Sequence, residues 1–77
     1  MNKNLPDRLQ IGAFLMHKRK LRHVKQWWIA KKLNLSESYI SKLENGRIPI
    51  LVTIFLQYCS ILELSDQEVM EMIKLFL

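Results

Sequence analysis

Between Ser36 and Arg47 the chain reads SESYISKLENGR, and its polar residues recur at helical spacing. With Ile40 taken as buried, Ser38, Ser41, Lys42 and Asn45 point away from it on a helix of about 3.6 residues per turn. Short hydroxyl donors, a long cation and an amide are the side chains that reach base edges and phosphates in a DNA groove. Lys42 suits the O6 and N7 acceptors of guanine, while Ser38 and Ser41 suit a base edge or a phosphate. Glu37, at the start of this segment, either accepts from cytosine N4 or simply favours the positive end of the helix dipole. Tyr39, on the flank, either reaches a phosphate with its hydroxyl or packs its ring on the next helix. Asn45 and Arg47 suit the nucleic-acid backbone just past the helix. Ser36 ahead of it belongs with them, as do Lys25 and Gln26 at the start of the preceding helix, where backbone N–H groups also favour phosphate.

Other chemistries lack the residues. No nucleophile stands with a base, so no catalytic residue is assigned and an enzyme is not expected. Cys59 is the single cysteine, which excludes an internal disulfide, and His17 and His23 have no acid near them at ligand spacing, so neither a metal nor a cofactor is expected.

Two short helices must hold the polar face in place. They are predicted over Gln26–Leu33 and Glu37–Asn45, across a sharp turn at LNLS. Ala30 has almost no side chain, so the second helix can approach the first closely there. Asn34 sits at the turn, and Asn is the best residue after glycine for a left-handed backbone. Ser36 can cap the second helix through its hydroxyl, and Gly46 can end it in the left-handed conformation. Ile29, Leu33, Leu35, Ile40 and Leu43 converge as a miniature core.

No period-2 run marks a strand, and three further helices complete an all-α, compact five-helix domain. The first spans Asp7 to Arg22 behind Pro6, with Leu9, Ile11, Gly12 and Leu15 on or near one side. The fourth spans Val52 to Leu62 and is apolar on two faces, Val52, Phe55, Cys59 and Leu62 on one and Ile54, Tyr58 and Ile61 on the other. The fifth opens with SDQE, a capping box of Ser65 and Glu68, and carries Val69, Met72, Ile73 and Phe76 at core spacing.

A chain of 77 residues makes one domain, here 1–77, with 65–77 as a C-terminal helix suited to dimerisation. Its charge divides unevenly. Met1 to Arg47 carries eleven Lys and Arg against three acids, whereas Ile48 to Leu77 carries Lys74 against four. A basic half points to nucleic acid or an anionic surface, with a plain solvated basic face as the alternative. The most apolar run, Ile48 to Leu62, holds Pro49 and Gln57 and is too short to span a bilayer. No apolar leader follows the first lysine, and the composition suits a reducing cytoplasm.

The segment QWWIAKKLNLSESYISKLENG resembles the helix-turn-helix of the phage repressor and Cro-like family, often called XRE-type. The resemblance extends from Ile11 to about Ser65. It rests on Gln26, Ala30, the turn at Asn34, and Ile40, Leu43, Glu44 and Gly46. It implies a double-stranded DNA-binding regulator, a repressor acting as a homodimer on a palindromic operator, with the Glu37–Asn45 helix in the major groove. It further implies that Gln26 touches the DNA backbone and that Arg19 pairs with Glu44, a bidentate clamp between the first and third helices rather than a DNA contact. This chain departs from the family at Asn34 and His23, where glycine is usual, and at Pro49, one place early in the loop that follows.

Trp27 and Trp28 fit no family role. On a helical wheel Trp27 lies roughly 110° from the buried centre and Trp28 roughly 150°. This predicts a largely exposed Trp28 and a boundary Trp27. Three readings stand: Trp27 as boundary core against the first or fifth helix, one or both tryptophans against a partner protein or second subunit, or stacking on DNA sugars beside Gln26. Met70 and Leu77 fall beside the core stripe of the fifth helix, and with Ile54, Tyr58 and Ile61 they are expected to form a two-fold dimer contact. The competing reading keeps the fold but makes a protein partner its main business, as in an antitoxin gripping a toxin through Trp28 or the last helix.

Overall fold

A computed structural model describes residues 8–74. Five helices follow in order: α1 Arg8–Leu21, α2 Gln26–Leu33, α3 Glu37–Glu44, α4 Val52–Ile61 and α5 Asp66–Ile73. Expected and observed bounds agree to within a residue for α1 to α4 and at the start of α5. Asn45 drops out of α3 because its backbone, at φ −92° and ψ 6°, has left the helical region. Asp7, Phe76 and Leu77 lie outside the described residues.

Helices α1 to α4 end by one device. An N–H two or three places past the helix bonds back across six residues while the N–H before it bonds across four, closing the last turn. The longer bonds run from Val24 to Arg19, Leu35 to Ala30, Arg47 to Lys42 and Leu64 to Cys59, at 2.9–3.2 Å. The residue that turns the chain has positive φ each time: His23 at 57°, Asn34 at 58°, Gly46 at 70° and Glu63 at 55°. Val24, Leu35 and Leu64 then fold back onto the core, which sets each following helix at an angle. His23 and Glu63 take on a conformation that costs an ordinary L-residue roughly 1–2 kcal/mol. The helix starts are capped as their residues dictate. Ser36 Oγ accepts from Tyr39 N at 3.0 Å, and the Ser65–Glu68 capping box is complete.

The core is Leu15, Ile29, Ala30, Ile40, Leu43, Tyr58, Cys59 and Leu62. Gly12 and Ala30 allow the backbones to close up around it. A Cβ added at Gly12 would stand 2.3 Å from the Leu43 carbonyl oxygen and 2.7 Å from that of Glu44, so α1 crosses α3 in backbone contact there. Phe14 of α1 meets Phe55 of α4 at 6.3 Å between ring centres. Glu68 of α5 accepts from Arg22 at 2.8 Å and pairs with Lys18 at 3.2 Å, tying α5 to α1. Two of the basic residues that a charge count would leave in solvent are therefore engaged.

Helix α4 corrects the sequence reading. The stripe Ile54, Tyr58 and Ile61, expected to help form a dimer contact, faces inward: Tyr58 is fully buried, and Ile54 and Ile61 pack on the core. The apolar surface left outside is Leu51, Val52 and Leu56, joined by Met70 of α5. The reason is the placement of α4 against α2 and Glu44. The Tyr58 hydroxyl has a carboxylate to meet there, which no apolar periodicity reveals.

Candidate nucleic-acid interface

Helix α3 presents the expected polar face. Glu37, Ser38 and Lys42 are exposed, Ser41 is half-buried, and Ile40 and Leu43 anchor the opposite side. Tyr39 is half-buried with its ring against the core. Asn45 is exposed, but its Nδ2 donates back to the Ser41 carbonyl at 2.8 Å, which leaves its Oδ1 outward. Ser36 accepts as the cap of α3, so its hydroxyl proton is what remains for another partner. Lys25 and Arg47 are exposed at the two ends of the helix-turn-helix. Lys25 precedes α2 in extended conformation without capping it, so no side chain covers the first N–H groups of α2.

Behind this face lies a buried polar cluster. Arg19 and Glu44 are 7% and 1% exposed. Arg19 Nε donates to Glu44 Oε2 at 2.8 Å and Nη2 to Oε1 at 2.9 Å, the bidentate clamp between α1 and α3. Arg19 Nη1 also donates to the Val24 carbonyl at 2.9 Å, which holds the α1–α2 turn. Two further donors reach the carboxylate: Gln26 Nε2, at 2.9 Å from Oε1, and the Tyr58 hydroxyl, on Oε2. Burial works against ionisation of Glu44, but the hydrogen bonds from Arg19, Tyr58 and Gln26 outweigh it and hold its carboxyl below the usual range. Burial, reinforced by Glu44, pushes the Tyr58 phenol well above its ordinary value, so it stays a donor. Burial likewise pushes the Cys59 thiol up to about 11, leaving no thiolate at neutral pH.

The sequence placed Gln26 at the interface and the Arg19–Glu44 pair behind it; the structure links the two through one carboxylate. Tyr58 was missed as a member. Its only sequence signal was a hydroxyl on an otherwise apolar stripe.

The tryptophans invert the wheel. Trp27 is 52% exposed and Trp28 38%, so Trp27 lies outside the core and its boundary-core reading is removed. The two rings meet edge-on at 6.0 Å, and Trp28 alone also has Lys32 Nζ 4.5 Å over its ring. Met70 is exposed as expected; Leu77 lies outside the described residues.

The helix-turn-helix domain family matches residues 10–72, which takes in all five helices except the ends of α1 and α5, and the chain belongs to that family. The chain is also similar to the ImmF control region 10 kDa protein of Bacillus phage phi105, with 46% identity over 41 residues. That alignment covers 53% of this chain and 46% of the phage protein, so the chain spans about half the length of its relative. No solved structure matches. No helix among the described residues is long and apolar enough to cross a membrane.

Proposed function

We propose that the chain binds double-stranded DNA sequence-specifically, as a homodimeric transcriptional repressor in the cytoplasm, with α3 in the major groove and no catalytic step. The observation that carries this reading is the exposed Glu37–Ser38–Lys42 face of a helix clamped from behind by a buried ion pair. A helix that reads bases must hold its side chains within a few tenths of an ångström, and a bidentate pair at 2.8 and 2.9 Å does that. In this reading Glu37, Ser38, Ser41 and Lys42 face base edges. Lys25, Gln26, Ser36, Tyr39, Asn45 and Arg47 lie along the backbone on either side. The name of the phage relative, a control-region protein, supports a regulatory role.

The dimer would form through α5 and the exposed side of α4. A recess of 590 Å³ lies there, lined by Leu56, Cys59, Leu64, Val69, Met70 and Ile73 among others. Two copies related by a two-fold axis would set their α3 helices on half-sites about 34 Å apart, which predicts a palindromic operator. The experiment is selection from a random double-stranded pool. Enrichment of a palindrome supports the reading. No enrichment, with a stable protein co-purifying, favours a second reading, a protein-interaction module such as an antitoxin. The observation behind that alternative is the exposed tryptophan pair on α2.

A further inference from the structure

The Gln26 amide is not free to turn. Each oxygen of the Glu44 carboxylate already accepts two donors: Oε1 from Gln26 Nε2 and Arg19 Nη2, Oε2 from Arg19 Nε and the Tyr58 hydroxyl. A carboxylate offers about four lone-pair sites, so this one is saturated by donors from α1, α2 and α4. Flipping the Gln26 amide would turn its carbonyl oxygen onto Glu44 Oε1, and two acceptors would face each other without a proton. The carboxylate therefore decides which end of the amide faces inward. What remains for an outside partner is the second N–H of Nε2 and the amide carbonyl oxygen. A phosphate oxygen can only accept, so of these two groups only that N–H, held in one direction by Glu44, serves a contact to the DNA backbone.

Tyr58 makes that arrangement depend on α4. It is fully buried, and its hydroxyl holds the oxygen of Glu44 that Gln26 does not use. Without it, Oε2 keeps one donor, and the carboxylate can swing to share Oε1 and Oε2 between the Arg19 nitrogens. The lone pair that orients Gln26 then moves.

We propose that Glu44 and Tyr58 are positioning residues for the Gln26 contact to a DNA phosphate, Glu44 by fixing the amide and Tyr58 by fixing Glu44. This deepens the DNA-binding reading and rests on it. Neither residue touches DNA; each acts through Gln26.

The test is a double-mutant cycle on the full chain with its selected site, measured by anisotropy at a temperature where far-UV circular dichroism shows every variant folded. Gln26→Ala should weaken binding about tenfold. Tyr58→Phe keeps the buried ring and should weaken it about fivefold in the wild-type background, yet almost not at all beside Gln26→Ala, as expected for groups that share one network. A merely structural Tyr58 would lose the same factor in both backgrounds, and that result overturns the proposal, as does no loss from either single variant. A wild-type chain that binds no DNA overturns the DNA-binding reading together with it. If Tyr58→Phe does not fold, the wild-type chain answers by NMR. One Gln26 side-chain N–H shifted and protected from exchange supports the fixed amide, whereas two averaged protons overturn it.

Discussion

Removing the guanidinium from the buried cluster tests the physical argument most directly. Arg19→Ala deletes two hydrogen bonds to Glu44 and one to the Val24 carbonyl, and leaves a carboxylate that is 1% exposed without its counter-charge. Breaking a buried pair by removing one partner costs about 3–5 kcal/mol. Tyr58 and Gln26 still donate to Glu44, which argues for the lower end, about 3 kcal/mol. Against a domain stability of roughly 4–12 kcal/mol, at about 0.05–0.15 kcal/mol per residue, that is a large fraction. At about 4–8 °C per kcal/mol for a domain of this size, the melting temperature should fall by about 12–24 °C. The pH dependence should change sign as well. In the native chain Glu44 ionises below its ordinary range, so its contribution is present above the unfolded value and is lost as pH falls through the folded one. Without Arg19, burial dominates and raises the folded value above the unfolded one. The variant then carries a penalty at neutral pH that is relieved on acidification. Far-UV circular dichroism melts without DNA, at about pH 7 and about pH 5, measure both effects. A melting temperature lowered by less than about 5 °C, or two chains with parallel pH profiles, would refute the account of Glu44 as a charge held in place by Arg19.

Lys42→Ala should weaken binding to the selected site by about 1–3 kcal/mol and relax preference at one base pair, measured by competition with single-base variants; an unchanged profile removes Lys42 from base reading. Lys25→Ala and Arg47→Ala should instead weaken all sequences alike and flatten the salt slope by about one unit each. In the proposed dimer Met70→Glu would place two charges in the two-fold contact, so sedimentation at micromolar concentration should show more monomer while the melting temperature barely moves; a wild-type chain that is monomeric both free and on DNA contradicts the dimer. Glu63→Gly relieves the positive φ of 55° after α4 and should stabilise by about 1 kcal/mol, read as a rise of about 4–8 °C in melting temperature. The Ser65 backbone N–H, Arg22 and Lys18 hold the Glu68 carboxyl at about 2, so its contribution is lost as pH falls from the ordinary glutamate range towards that value; Glu68→Gln should flatten acid denaturation in that window.

The local part of this fold was legible because its signals act within a few residues. The Ser36 cap, the Ser65–Glu68 capping box and the left-handed turns at Asn34 and Gly46 each involve neighbours in sequence, and each stands where the residues indicated. Periodicity put Ile40 and Leu43 inside and Ser38 and Lys42 outside, and the family resemblance supplied the Arg19–Glu44 pair. Tertiary structure decided what depends on distant partners. Helix α4 offered two apolar stripes; Cys59 and Leu62 of one reach the core, and Glu44, fourteen residues back along the chain, gives the Tyr58 hydroxyl of the other a buried partner. Glu68 gained Arg22 across forty-six residues, a pairing that no pattern along either helix could announce. Trp27 is more exposed than Trp28, over whose ring Lys32 lies, because a helical wheel fixes the direction of a side chain but not what covers it.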